Sequence, residues 1–119
     1  MSRRVLWFVA LIVLFFGMAL LIAGPGAKAQ VVVARSKIKQ GARVVDVRTP
    51  REYAAGHYAG ALNIPLQELE RRLSEVGPLT KPVVVYCRSG SRSASAKKIL
   101  VKAGFKDVTD AGALESLQE

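Results

Sequence analysis

The chain has 119 residues, a formal net charge of +9, one cysteine and one histidine. This length accommodates one compact domain, and a single cysteine excludes an internal disulfide. The basic residues are scattered, without zinc-ligand spacing or a basic helix, so nucleic acid is not an expected partner. The +6 net charge carried after Ala29 instead favours small anions or anionic lipid surfaces.

The N-terminal region contains an uncharged apolar run at residues 5–24, after the short basic start MSRR. About twenty apolar residues suffice to span a bilayer as a helix. The small residues of AKA, at 27–29, also fit the cleavage site of a signal peptide. Residues 1–29 are therefore predicted to be a membrane anchor or a signal peptide, and residues 30–119 the folded domain.

The order of a basic head, an apolar run and a small-x-small site is typical of export. We expect a domain outside the cytoplasmic membrane, held there through residues 5–24. If the chain is cleaved after Ala29, the expected location is periplasmic or secreted. Basic residues also follow the apolar run, so charge alone nearly balances the two orientations.

From residue 31 onward, short β-branched runs alternate with stretches of helical periodicity, which indicates an α/β domain with a mainly parallel sheet. VVV at 31–33 is predicted to be the first strand, and the segment 34–41 a short helix closed by its final glycine. RVVDV at 43–47 is predicted to be a buried second strand.

The next helix boundary carries a capping-box pattern. Thr49 can cap the helix, Pro50 suits its first turn, and Glu52 stands three residues after the cap. A helix is predicted from Pro50 to Ala55, followed by a loop with a brief extended piece around residues 61–64.

The segment 66–76 has apolar residues spaced three and four apart, which predicts an amphipathic helix. Those residues are Leu66, Leu69, Leu73 and Val76. PVVVY at 82–86 is the most strand-like segment, residues 93–105 are predicted to form a helix that ends at Gly104, and DVT at 107–109 a last strand.

Cys87 directly follows the 82–86 strand. In parallel α/β sheets, ligands bind beyond the carboxyl ends of the strands, where helix N-termini offer free N–H groups. The following residues are small or cationic and can form an anion-binding nest that holds substrate: Arg88, Ser89, Gly90, Ser91 and Arg92. The helix dipole and the arginines favour a thiolate, so Cys87 is predicted to be reactive rather than an inert core residue.

Over residues 44–112 the chain resembles the rhodanese-like sulfurtransferases. VVDVRTPREYAAGHYAGALNIPL is similar to the family's N-terminal signature, and VVVYCRSGSRSASA to its active-site loop. As a membrane-targeted single domain, the chain is most similar to small periplasmic thiosulfate sulfurtransferases. The resemblance implies a rhodanese-like α/β domain with a mainly parallel sheet flanked by helices, preceded here by an N-terminal hydrophobic helix.

The resemblance also implies a sulfurtransferase in which Cys87 carries the sulfur and the loop to Arg92 holds the persulfide. Thiosulfate or a similar small anion would be the donor, and a thiol, cyanide or a protein the acceptor. No metal or organic cofactor is expected. Near the chain's end, Ala113 and Leu117 stand where the family commonly has a glycine and a tryptophan.

Two other functions stay open. A membrane-tethered, non-catalytic module could bind or carry persulfide for a partner. A cysteine phosphatase ranks third, because phosphatases of this fold use Cys-x5-Arg, whereas here Ser93 stands at that position and Arg92 comes one residue early.

The remaining polar residues of the signature have structural interpretations. Asp46 and Arg48 are predicted to form an ion pair and hydrogen-bond framework beneath the active site. Glu52 is explained by helix capping. His57 is interpreted as structural, because a thiolate in an electropositive loop does not require a general base.

Overall fold

The computed structural model describes residues 26–119, which form a sheet of four parallel strands in the order β2-β1-β3-β4. The strands are β1 (Arg43–Asp46), β2 (Leu62–Asn63), β3 (Val83–Cys87) and β4 (Val108–Ala113). The helices are α1 (Ala27–Lys39), α2 (Pro50–Ala55), a 3-10 helix (Leu66–Arg71), α3 (Leu73–Val76), α4 (Ser91–Ala103) and α5 (Leu114–Gln118). The prediction of an α/β domain with a parallel sheet is confirmed.

The central strand β3 is buried along its whole length, because helices cover both faces of the sheet. Successive side chains of a strand point to opposite faces. Val83, Val85 and Cys87 pack in the layer that contains α4, the 3-10 helix and α3. Val84 and Tyr86 pack in the layer that contains α1 and α5. Cys87 therefore faces the layer that α4 builds.

The predicted first strand at residues 31–33 is wrong, because these valines lie in α1. Val32 is 63% exposed and Val33 43%, whereas Ala34 is fully buried against the sheet. Arg35 donates to the main-chain oxygen of Ser116 at 2.7 Å, which ties α1 to α5. Packing and polar contacts of the α1 side chains thus override the β preference of valine.

The predicted helix over residues 66–76 is interrupted at Arg72, where the backbone has φ −119° and ψ 23°. A 3-10 helix precedes this residue and α3 follows it. The predicted apolar face is nevertheless right, since its four residues all contact the α4 layer. Residues three apart line one face of a 3-10 helix, so the same spacing suits either helix type.

Several predicted boundaries are confirmed. Thr49 caps α2 in a capping box with Glu52, and Pro50 is its first residue. Gly104 ends α4 in the left-handed region, with φ +106°. The last strand, β4, continues beyond the predicted DVT segment to Ala113.

The structure bears differently on the two N-terminal predictions, the apolar segment at 5–24 and the cleavage point after Ala29. The apolar run at 5–24 lies outside the described residues. Within residues 26–119, no helix combines the length and apolar character needed to cross a membrane. α1 begins at Ala27, so the predicted cleavage point after Ala29 lies in the first turn of this helix.

Candidate active site

The loop after β3 turns sharply into α4. Cys87 ends the strand, and Ser91 begins the helix. Between them, Gly90 has φ +100° and ψ −15°, a left-handed conformation that glycine adopts without a Cβ clash. The turn directs main-chain N–H groups toward the Cys87 sulfur.

The Cys87 sulfur sits in a small hydrogen-bonded cradle. The N–H of Gly90 donates to Sγ at 2.9 Å, and the Cys87 thiol donates to Ser93 Oγ, which accepts at 3.6 Å. The Ser93 hydroxyl also donates to the Gly90 carbonyl at 3.0 Å. Cys87 and Ser93 have no exposed surface. The sulfur therefore has two hydrogen-bond partners although it is buried at the edge of the apolar core.

The environment favours the ionised form of Cys87. Burial raises the pKa of the thiol, because it disfavours the charged state. The Ser93 side chain and the main-chain N–H groups of Ser93, Gly90 and Ser89 lower that pKa and outweigh the burial, so the pKa lies below its ordinary value. Since the thiolate is the nucleophilic form of cysteine, this environment favours the reactive form of Cys87.

Arg92, predicted to bind substrate, forms a bidentate ion pair with Glu52. Its Nη1 lies 2.6 Å from Glu52 Oε1 and its Nη2 3.0 Å from Oε2. The hydrogen bonds from Arg92 are the main cause that lowers the pKa of Glu52 to about 2. The carboxylate therefore stays charged at neutral pH, and Arg92 is not a free cation.

Arg88, the other predicted cation of the loop, is exposed. It lines a pocket of about 560 Å³. The charged side chains of this pocket come from three separate segments of the chain: Arg48, Glu52, Arg88, Glu115 and Glu119. The pocket therefore contains both signs of charge rather than a purely cationic lining. Ser91, the remaining residue of the predicted loop, is exposed at the start of α4.

Asp46, at the end of β1, and Arg48, in the bend that follows this strand, form a buried ion pair. Arg48 Nη2 is 2.8 Å from Asp46 Oδ2, and the same nitrogen donates to the Gly56 carbonyl at 2.6 Å. The Tyr86 hydroxyl also donates to Asp46 Oδ2, at 2.7 Å, and accepts from the Tyr58 N–H. Burial is the main cause that raises the pKa of Tyr86, which keeps this phenol neutral. The network holds the end of β1 against β3.

His57 lies on the surface beyond α2. Its ring stacks on Tyr53, with ring centroids 3.6 Å apart, and its Nδ1 lies 2.8 Å from the Tyr53 carbonyl oxygen. These contacts give the histidine a local structural role.

Three residues gain a place at the site that the sequence did not assign to them. Capping explains Glu52 from the sequence, yet its carboxylate also binds Arg92. Ser93 stands out in the sequence only through the loop spacing, but its hydroxyl oxygen accepts from the Cys87 thiol. Tyr86 is predicted only as a strand residue, and its hydroxyl donates to Asp46. The sequence shows that Glu52 and Arg92 have opposite charges, but it does not show that α2 and α4 bring them together.

Comparison with known proteins places this geometry in a family. The family model described as a rhodanese-like domain matches residues 30–111. The thiosulfate sulfurtransferase PspE of Escherichia coli K12 is 40% identical over 74 residues, which cover 61% of this chain and 71% of that protein. The putative sulfur carrier protein YrkF of Bacillus subtilis is 38% identical over 65 residues, covering 55% of this chain and 35% of that protein.

A solved structure described as a rhodanese with anions, from E. coli, superposes with a TM-score of 0.61. It shares 39% identity, and the match covers 64% of this chain and 91% of that one. The similarity to named sulfurtransferases and to rhodanese structures supports a rhodanese-like sulfurtransferase. With a family model that matches well over half of its length, the chain belongs to the rhodanese-like domain family.

Proposed function

We propose that the chain moves sulfane sulfur from thiosulfate or a similar donor to a thiol or cyanide acceptor, through a persulfide on Cys87. The observation that carries the proposal is the Gly90 N–H, 2.9 Å from a buried sulfur whose pKa is lowered. Similarity to sulfurtransferases and to a sulfur carrier protein supports a donor and an acceptor as partners.

In the first step, the Cys87 thiolate attacks the outer, sulfane sulfur of thiosulfate. A new S–S bond forms to Cys87 as the S–S bond of the donor breaks, and sulfite leaves with the bonding electron pair. The charge balances, because one thiolate and one dianion become one persulfide anion and one sulfite dianion. No proton or external electron is required.

In the second step, an acceptor nucleophile attacks the outer sulfur of the persulfide. A thiolate acceptor becomes a persulfide and cyanide becomes thiocyanate, and Cys87 departs as a thiolate. The N–H groups of the loop stabilise the anionic sulfur before and after transfer, because they are already oriented toward it. The same cradle therefore serves both half-reactions.

A kinetic and mass-spectrometric experiment tests the proposal on the full chain in mild detergent. Incubation with thiosulfate should add one sulfur atom, about 32 Da, to Cys87, and added cyanide should remove it as thiocyanate. Cys87→Ser should abolish both signals. If the wild-type protein acquires no persulfide from any sulfane donor, the proposal is wrong. Persulfide loading without turnover would instead indicate a carrier.

We further propose that the domain lies outside the cytoplasmic membrane, anchored through residues 5–24 or released after cleavage. Residues of α1 line a pocket of about 680 Å³ together with Ser89 and Gly90. An anchor ending at Gly24 would hold this pocket near the bilayer, because a chain spans at most about 3.6 Å per residue.

Fractionation with N-terminal sequencing distinguishes the anchored from the cleaved form. A small, membrane-impermeant methanethiosulfonate reagent reports the side of the membrane, since Cys87 is the only thiol. We expect modification while the cytoplasmic membrane is intact. Protection until that membrane is broken would place the domain in the cytoplasm.

A further inference from the structure

The ion pair between Glu52 and Arg92 joins α2 to the start of α4, directly after the loop that follows Cys87. Glu52 belongs to the first turn of α2, and Arg92 to the first turn of α4, forty residues later. Their side chains are 25% and 29% exposed. Because the pair is partly buried, solvent and salt screen its charges less than those of a fully exposed pair.

The pair is close enough to Cys87 to matter electrostatically. The charge of the Cys87 thiolate contributes to raising the pKa of Arg92, after the larger contribution of the Glu52 hydrogen bonds. Glu52 and Arg88 also line the same 560 Å³ pocket, with Glu115 and Glu119. The carboxylate of Glu52 therefore offsets the positive charge of Arg92, and an anionic donor that approaches the loop is attracted less strongly.

We propose that Glu52 is a specificity-determining residue that acts through Arg92. The Glu52 carboxylate reduces the net positive charge beside Cys87. It thereby reduces the preference for a dianion such as thiosulfate over a singly charged sulfane donor. The inference rests on the proposed sulfur transfer. It adds which donor charge the site prefers, because the proposed function names only thiosulfate or a similar donor.

The variant Glu52→Gln separates charge from structure. Glutamine has the same length and can occupy the third position of a capping box, so Thr49 still finds its partner and α2 keeps its cap. The amide oxygen can accept one hydrogen bond from Arg92. The substitution therefore removes the negative charge and the second hydrogen bond of the bidentate pair, and it leaves the cap of α2 in place.

The experiment measures kcat/KM for two donors with the full chain. Thiosulfate carries two negative charges, and methanethiosulfonate anion carries one and presents the same type of sulfane sulfur. We expect Glu52→Gln to raise the thiosulfate-to-thiosulfonate ratio by about three- to tenfold at low ionic strength. The gain should shrink in about 0.5 M salt, because salt screens the added attraction.

A matched control removes the same charge from a comparable pair elsewhere. Glu75 forms a hydrogen-bonded pair with Arg72 at 2.6 Å, and neither residue lines the pockets at the loop. Glu75→Gln should leave the donor ratio unchanged. A change of equal size in this variant would mean that net charge, rather than Glu52, sets the ratio, and would overturn the inference.

A second set of variants covers a failure of Glu52→Gln to fold. Arg92→Gln leaves Glu52 uncompensated and should lower the donor ratio, whereas the double variant should restore part of it. The pH midpoint of Cys87 alkylation should fall in Glu52→Gln and rise in Arg92→Gln. An unchanged ratio in these variants, with sulfur transfer intact, overturns the inference. Loss of transfer from every donor in the wild type overturns the proposed function instead.

Discussion

At the scale of single residues, Cys87 combines full burial with a lowered pKa. The two properties normally oppose each other, because burial disfavours a charge. Here a short loop of small residues brings main-chain N–H groups and the Ser93 hydroxyl to the sulfur. A solvent-exposed thiolate would need no such cradle, but it would also be open to unwanted oxidation.

Ser93→Ala tests the contribution of the hydroxyl. Without it, the pKa of Cys87 should rise, and the thiolate population at neutral pH should fall. We expect about a tenfold loss in kcat/KM with thiosulfate at pH 7, as is typical for a lost hydrogen bond to a charged group. The loss should lessen as pH increases above the raised pKa, because both proteins are then ionised. An equal loss at every pH would contradict this explanation.

Tyr86→Phe tests the framework beneath the site. The substitution removes the hydroxyl that donates to Asp46 and accepts from the Tyr58 N–H. Asp46 Oδ2 keeps its hydrogen bonds from Arg48, so the part-buried Tyr58 N–H is the group that loses its partner. Such a loss costs about 1–3 kcal/mol, and the free energy of unfolding in urea should fall by about that amount. An unchanged value would mean that water replaces the hydroxyl.

At the scale of elements, α1 is the clearest case of tertiary structure overriding local preference. Three consecutive valines favour a strand, yet they occupy a helix that packs on the sheet through Ala34. Lys37 donates to Asp107 at 2.6 Å, which anchors the C-terminal half of the helix beside β4. The helix is held by its neighbours rather than by the propensities of its residues.

Val32→Ala distinguishes a helix from the strand that the sequence favours. Val32 is exposed on α1, and alanine has the higher helix propensity, so the stability should rise by about 0.5 kcal/mol. In a strand the same change would lower stability. Chemical denaturation measures the difference, and a clear loss would count against the helix. Val84→Ala, in the buried core of β3, serves as a destabilising comparison.

At the scale of the whole molecule, the sheet separates two apolar layers. The layer with α4 contains Cys87, at the start of the loop that leads into this helix. The other layer closes with α1 and α5, where Leu117 is 2% exposed. Leu117 is thus a core residue of this layer.

Leu117→Ala should lower the free energy of unfolding by about 2–4 kcal/mol, because it removes a buried side chain and leaves a cavity. The effect should be on stability more than on chemistry, since Leu117 packs on the face opposite Cys87. Urea denaturation and thiosulfate turnover well below the transition separate the two. Turnover lost in a fully folded variant would contradict the division between the layers.

Features that depend on neighbouring residues were predictable from the sequence. They include the buried strand before Cys87, the turn that leads into α4, and the capping box of α2, because each follows from periodicity or short-range hydrogen bonding. The helical state of residues 31–33, the pairing of Glu52 with Arg92, and the hydrogen bond from Tyr86 to Asp46 depend instead on tertiary contacts. These depend on groups that lie up to 82 positions apart, as Arg35 and the Leu117 carbonyl do. Local patterns cannot specify such contacts, because they form only when the sheet brings distant segments together.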